Sequence, residues 1–219
     1  GAVTDATADT AMTLMLMSAR RAGEGERLVR SGAWEGWHPT QMLGLHLTGK
    51  TVGIVGMGRI GQAIARRCHF GFGMPVHYFG RSPKELDFDA VFHSDLAGMA
   101  AEVDVLVTAV ASNPQTRHLI NADVLAAMRP HARLINIARG DVVDEAALID
   151  ALQRGAIGGA GLDVYEFEPA VPQALRDLDN VVLLPHLGTS TTEVRVDMGM
   201  MVVGNLQACF RGDAPPNPV

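Results

Sequence analysis

Residues Thr51-Val-Gly-Ile-Val-Gly56-Met-Gly58-Arg59-Ile60-Gly61 constrain the fold more than any other stretch. A short apolar run ends in three glycines spaced G-x-G-x-x-G, and a helical pattern follows at once through Arg67. Strand, glycine turn and helix in that order are what a dinucleotide-binding βαβ unit requires. Gly56 allows the tight turn off the strand. Gly58 leaves no Cβ where a pyrophosphate would approach the backbone, and Gly61 lets the helix lie close to the sheet. The helix N-terminus would offer unpaired N–H groups and a partial positive charge to the phosphates. A glycine-rich turn by itself is weak evidence; the strand before it and the helix after it favour nucleotide binding.

The alternation continues downstream. Apolar runs suited to buried parallel strands cover 51–55, 76–79, 103–109, 133–137, 157–163 and 181–184. Helical patterns cover 59–69, 94–101, 122–128 and 144–154, and Pro130 and Gly155 mark two helix ends. This rhythm predicts an α/β fold with a doubly wound parallel sheet of the Rossmann type. Ahead of it, 4–30 read as one long helix, apolar at Ala8, Ala11, Met12, Met15, Leu16 and Ala19 and basic at Arg20, Arg21, Arg27 and Arg30. A loop with Trp34, Trp37 and Pro39 follows; such tryptophans anchor a loop to the body or cover a dimer contact. At the far end Ser190-Thr-Thr-Glu193 reads as a capping box, with Ser190 and Glu193 as its two partners, opening a helix to about Phe210. The proline-rich tail after it is expected to be extended or loose.

Composition narrows the partners. With 219 residues, 47% hydrophobic and 19% charged, the chain suits a soluble globular protein with a real core. A net charge of −6 argues against nucleic acid. No run approaches the roughly 18 apolar residues of a membrane span. Cys68 and Cys209 show neither disulfide nor metal spacing, so reduced thiols in a cytoplasmic protein are expected and no metal site is. Met12, Met15, Met198, Met200 and Met201 fall in helical patterns, as core or subunit-interface residues do.

Ligands in such sheets bind beyond the carboxyl ends of the strands, and three of those ends carry polar residues. Leu134-Ile-Asn-Ile-Ala-Arg139-Gly140 ends in a guanidinium that could grip the carboxylate of an α-keto or α-hydroxy acid through two parallel hydrogen bonds. Spacing alone, however, favours a surface ion pair for Arg139. Gly161-Leu-Asp163-Val-Tyr-Glu166-Phe-Glu168-Pro169 supplies carboxylates. Leu184-Pro185-His186-Leu187-Gly188 places a histidine directly after a strand, where it could give a proton to a carbonyl oxygen. Glu168 is the candidate carboxylate beside His186, favouring its imidazolium form. Glu166, on the alternation, is expected to face solvent or the loop.

Several blocks in order resemble the D-isomer-specific 2-hydroxyacid dehydrogenase family: Thr4-Asp-Ala-Thr-Ala-Asp9, the glycine stretch, Asn136-Ile-Ala-Arg-Gly-Asp-Val-Val-Asp144, Gly159-Ala-Gly-Leu-Asp-Val164 and Pro185-His-Leu-Gly188. The resemblance implies that Arg139 binds substrate, Glu168 pairs with His186, and His186 is the acid/base. It also places Asp163 at the nicotinamide carboxamide. It extends the cofactor contacts to Gly56, Gly58, Arg59, Ile60, Gly61, Asn113, Ala138, His186 and Gly188, and it implies a homodimer formed through the long helix and the Trp loop.

The second strand decides the expected cofactor. An NAD site places an acid there about 20 residues past the glycines. Gly80 stands in that position, 19 residues after Gly61, followed by Arg81 and Ser82, with no carboxylate until Glu85. Arg81 and Ser82 can hold a 2′-phosphate, which predicts NADP(H) over NAD(H). This ending, with the two tryptophans, resembles the NADPH-dependent glyoxylate/hydroxypyruvate reductases of the family and implies a small 2-keto acid substrate. The alternatives are a broad 2-ketoacid reductase and, in another class, a nucleotide-sensing corepressor-like binding protein. Family members are longer, so an N-terminal substrate domain is expected beyond this chain, which alone should bind cofactor but reduce substrate poorly. The expected division is a dinucleotide-binding domain at 1–188, including a crossover helix at 4–31, and a return helix and tail at 189–219 that pack on that missing domain.

Overall fold

The structure is a computed structural model and describes residues 3–218. Seven strands, β1 (Val52–Val55), β2 (Val76–Phe79), β3 (Ala90–His93), β4 (Val105–Thr108), β5 (Arg133–Asn136), β6 (Gly159–Leu162) and β7 (Val181–Leu183), form one sheet in the order β3-β2-β1-β4-β5-β6-β7. Every pairing is parallel. Parallel neighbours need crossovers: α3 (Arg59–Arg66) joins β1 to β2, α4 (Leu96–Glu102) joins β3 to β4, α5 (Ala122–Ala127) joins β4 to β5, and α6 (Glu145–Gln153) joins β5 to β6. The chain runs outward from β1 to β3, then returns to β4 on the other side of β1. This is the doubly wound sheet that the alternation predicts, with one strand more.

That extra strand, β3, is four residues long, lies at the sheet edge and follows the acidic Asp87 and Asp89. Its apolar run is only three residues, Ala90-Val91-Phe92, and none of its positions is buried, unlike the central strands. β1, β4 and β6 are buried at every position, because helices cover both faces. Met99, Leu106, Leu134 and Leu148 pack on one side under α4, α5 and α6. Leu14, Met15, Ile54, Ile64 and Ile135 pack on the other.

The predicted long helix is two helices, α1 (Thr4–Arg20) and α2 (Ala22–Arg30). Arg21 breaks it in the left-handed conformation, φ 55°. Its guanidinium makes two bonds to Glu24 at 2.7 and 2.8 Å, and Gly23 and Gly25 weaken helix propensity just beyond. α1 is buried along the sheet, whereas α2 has no buried residue. Trp34 and Trp37 are exposed and do not anchor their loop, Trp37 leaving 77% of its surface open. α3 widens into a π turn over Arg67–Gly71, and a short unpredicted helix, α7 (Gln173–Arg176), precedes β7.

The last helix, α8 (Thr192–Arg211), is capped by Thr191, whose Oγ1 accepts from Val194 N–H at 3.3 Å. Ser190 and Glu193 do not form the expected box; Ser190 Oγ accepts instead from Arg195. Of α8 only Ala208 is buried, so Met200 and Met201 are exposed rather than core residues. The tail turns back instead of running loose: the Asn217 backbone exchanges two hydrogen bonds with the Asn205 side chain at 3.0 and 3.2 Å. Among the described residues no helix is long and apolar enough to cross a membrane.

Candidate active site

The carboxyl ends of β1, β4, β5 and β6 open on a cavity of about 590 Å³, where the strand order reverses and α/β sheets bind ligands. It brings together Ile60, Ala138, Arg139, Asp163, His186 and Gly188. Its wall on the α1 side is made by Val3 and Thr7.

After β7 the chain turns through Pro185 into His186, which takes the left-handed conformation at φ 57°. A non-glycine residue persists there only when its surroundings hold it, and Asp163 supplies the hold. Its carbonyl accepts from His186 N–H at 2.9 Å. Its carboxylate accepts from Leu187 N–H at 2.6 Å and Gly188 N–H at 2.8 Å. Thr7 Oγ1 donates to Gly188 O at 3.3 Å from α1. Asp163 is 1% exposed. Burial pushes its carboxyl above the ordinary range, outweighing the two N–H bonds and the His186 charge that pull it down.

His186 Nδ1 meets Glu168 Oε2 at 2.8 Å, which leaves Nε2 free. Glu168 Oε1 accepts from Tyr165 N–H at 3.0 Å, so both oxygens are fixed. Burial raises the Glu168 carboxyl, but the bonds from His186 and Tyr165 and the charges of His186 and Arg139 bring it below its usual value. Tyr165 in turn donates to Leu184 O at 2.8 Å, tying the loop after β6 to the end of β7.

Arg139 lies at the cavity rim with its side chain exposed. Asn136 shapes the turn that presents it. Asn136 Oδ1 accepts from Thr108 Oγ1 at 2.6 Å and from Ala138 N–H at 3.0 Å, and Nδ2 donates to Arg139 O at 3.0 Å. Gly140 is required beside it, since a Cβ there would lie 1.8 Å from the Tyr165 carbonyl carbon.

The glycine turn is built as the spacing predicts. Gly56 has φ 100°, and a Cβ on it would meet Val110 Cγ1 at 2.6 Å; a Cβ on Gly61 would lie 2.0 Å from Gly56 O. A Cβ on Gly58 meets nothing within 4 Å. Gly58 is also the N-cap of α3 and has no side chain to satisfy the first N–H groups. Open space and free donors at a helix start, next to a cavity of this size, fit a dinucleotide pyrophosphate, and Arg59 opens that helix. Arg81 and Ser82 follow β2 and are exposed, on the strand beside β1. Arg81 makes no hydrogen bond or ion pair among the described residues.

Two expectations change. Asn113 is near the cavity but outside its lining, and its side chain is engaged in its own loop with Gln115 N–H at 2.9 Å and Ala111 O at 3.3 Å. Of the two expectations for Glu166, solvent or the loop, it is not solvent that it meets but residues of the loop between β4 and α5. Its carboxylate meets His118 Nε2 at 2.7 Å and Arg117 at 3.2 Å, away from the cavity. Period-two alternation fails there because the strand has ended at Leu162. Sequence reasoning also missed Ser112, Thr189 and Met198 in the lining, and the positioning pair Thr108 and Asn136. Thr7 and Asn136 fall inside recognised blocks, which was their only local signal.

A family model described as "D-isomer specific 2-hydroxyacid dehydrogenase, NAD binding domain" matches residues 12–188. The glyoxylate reductase of Pyrococcus furiosus is 48% identical over 224 residues, covering 99% of this chain and 66% of that protein. Glyoxylate/hydroxypyruvate reductase B of Pectobacterium carotovorum is 48% identical over 221 residues, covering 99% and 69%. The crystal structure of an NADPH-dependent glyoxylate/hydroxypyruvate reductase from Sinorhizobium meliloti, in complex with NADP and malonate, superposes with a TM-score of 0.93 at 45% identity, covering 100% of this chain and 68% of that one. The chain thus spans about two thirds of the length of the relatives it matches. With its glycine turn, its parallel sheet and the ordered blocks at its strand ends, this chain belongs to the D-isomer specific 2-hydroxyacid dehydrogenase family, as an NAD-binding domain.

Proposed function

We propose that this chain is the cofactor-binding part of an oxidoreductase that reduces a small 2-keto acid, glyoxylate or hydroxypyruvate, with NADPH. The observation that carries the reading is His186 Nδ1 held at 2.8 Å by Glu168, with His186 and Arg139 on one cavity. Gly56, Gly58, Arg59, Ile60 and Gly61 would hold the pyrophosphate end; Ala138, Asp163 and Gly188 would border the nicotinamide, with Asn113 close by. A bound reduced nicotinamide supplies the hydride. Arg139 fixes the substrate carboxylate through paired N–H donors. His186, kept in orientation by Glu168 and the Asp163-braced turn, gives the Nε2 proton to the carbonyl oxygen. In the reverse direction neutral His186 takes the proton from a D-2-hydroxy acid at the same nitrogen.

The preference for NADP(H) over NAD(H) rests on Gly80-Arg81-Ser82, where Gly80 stands in place of the ribose-binding acid and the exposed guanidinium of Arg81, unpaired among the described residues, follows it. We take 1–188 as the cofactor-binding unit and 189–219 as a helix and tail that pack on a substrate domain, a reading supported by exposed Val196, Met200, Val202 and Leu206 on α8. Exposed Trp34, Trp37 and Leu43 and the unburied α2 support a homodimer built on this side. Free Cys68 and Cys209 suit a cytoplasmic protein.

The test is loss of NADPH absorbance on adding glyoxylate or hydroxypyruvate, in a form of the protein that carries a substrate domain. Turnover that needs His186 and Arg139 supports the proposal. Turnover retained in His186→Gln, or none with any 2-keto acid despite tight NADPH binding, overturns it, the latter in favour of a nucleotide-sensing role.

A further inference from the structure

We propose that His77, His93 and Glu102 form a site for one divalent transition metal of the zinc or cobalt class at the β2–β3 edge of the sheet. His77 of β2 stands opposite Val91 and His93 of β3 stands opposite Phe79, so the two histidines lie two register positions apart on one face of neighbouring strands. Glu102 closes α4, which packs over that face. His77 Nδ1 and His93 Nε2 are 2.9 Å apart. Glu102 Oε2 is 3.5 Å from the first and 4.0 Å from the second. The histidine side chains are only 16% and 15% exposed, while Glu102, at 56%, leaves one side open to water.

Without an ion the cluster is a stacked imidazole pair, ring centroids 4.9 Å apart, sharing one proton between two facing nitrogens. That accounts for the 2.9 Å contact but leaves the Glu102 oxygen facing both nitrogens without a donor from either. A cation satisfies all three lone pairs at once. Zinc takes imidazole nitrogen at about 2.0–2.1 Å in tetrahedral geometry, which sets two nitrogens about 3.3 Å apart. Opening the histidine pair by a few tenths of an ångström seats the ion, with Glu102 as third ligand and water as fourth. Imidazole with a carboxylate suits zinc, cobalt and nickel. A cavity of about 410 Å³, lined by His77 with Gly73, Pro75, Asp89 and Val91, lies along the same edge.

The site is separate from the candidate active site, whose lining includes none of the three. Its effect would be structural. β3 is an edge strand paired only to β2 through four residues, and the ion would tie β2, β3 and the end of α4 together.

The test is calorimetric titration of chelator-treated protein with zinc chloride, and visible spectroscopy with cobalt chloride. Wild type should take one ion per chain, with a cobalt spectrum of low coordination number and a melting temperature raised by zinc. His93→Asn should weaken binding tenfold or more, since even loss of a partner outside the ligand set costs roughly 10–100-fold. NADPH affinity should not change, which shows the variant folded. Where His93→Asn fails that check, exposed Glu102→Gln decides, with weaker zinc and an altered cobalt spectrum expected. No binding by wild type, or affinities unchanged in the variants, overturns the site.

Discussion

The turn after β1 and the turn after β7 border the same cavity on opposite plans. At the first, the chain closes on itself because atoms are missing: 2.0 Å separates the Gly56 oxygen from where a Gly61 Cβ would stand. At the second, nothing is missing and everything is held: a histidine at φ 57° is fixed by the backbone and carboxylate of Asp163 and by Glu168. A turn shaped by absent side chains tolerates no additions. A turn shaped by hydrogen bonds tolerates changes of size but not of donors and acceptors.

Substitutions put the two plans to the test. The largest effect should come from His186→Gln, which keeps volume and removes the titrating nitrogen: 2-keto acid turnover should fall about 10²–10⁴-fold, with NADPH affinity unchanged. A fall in both would mean that the His186 side chain itself also holds the nucleotide. Next, Gly61→Ala should destabilise the fold by about 3 kcal/mol in urea melts, since the new methyl meets fixed backbone. Gly58→Ala, facing open space, should leave stability alone and weaken NADPH binding; equal losses in the two would blur the distinction between close packing and phosphate access. Arg81→Ala should weaken NADPH binding roughly ten- to a hundredfold, the worth of a charge-assisted bond, and leave NADH untouched. Similar losses for both cofactors would remove the 2′-phosphate assignment.

The smallest effect is a slope against pH. The Asp163 carboxyl is raised by burial, so its stabilising contribution is full below the unfolded-state range and fades as pH rises through the elevated value. Asp163→Asn lacks that fade. The stability gap between wild type and variant should therefore narrow from about pH 4 upward; a gap that widens would place the charged form as the favoured one.

The same contrast explains what could be read from the residues. The first turn is complete within eleven consecutive residues, so spacing alone specified it. The second joins His186 to Asp163 and Glu168 of an earlier segment; pattern made Glu168 a candidate partner of His186, and the resemblance turned that candidate into a definite pairing. The pairing of Thr108 with Asn136, 28 positions apart, escaped because their 2.6 Å bond exists only once β4 and β5 pair. The long helix was overextended because its apolar period says nothing of the left-handed backbone at Arg21. At the last helix Ser190 and Thr191 offer the same hydroxyl one residue apart, and pattern could not choose between them.

All seven strands being parallel has a further consequence, for the order in which the molecule can assemble. No two strands are joined by a hairpin, so no part of the sheet forms from neighbouring residues alone. α1, near the start of the chain, lies against β5, β6 and β7, near its end. Its apolar face has no complete seat until residue 183 is in place, so closure of that core spans nearly the whole length of the chain. Folding should be slow for a protein of this size, governed by the entropy of one long loop rather than by helix formation.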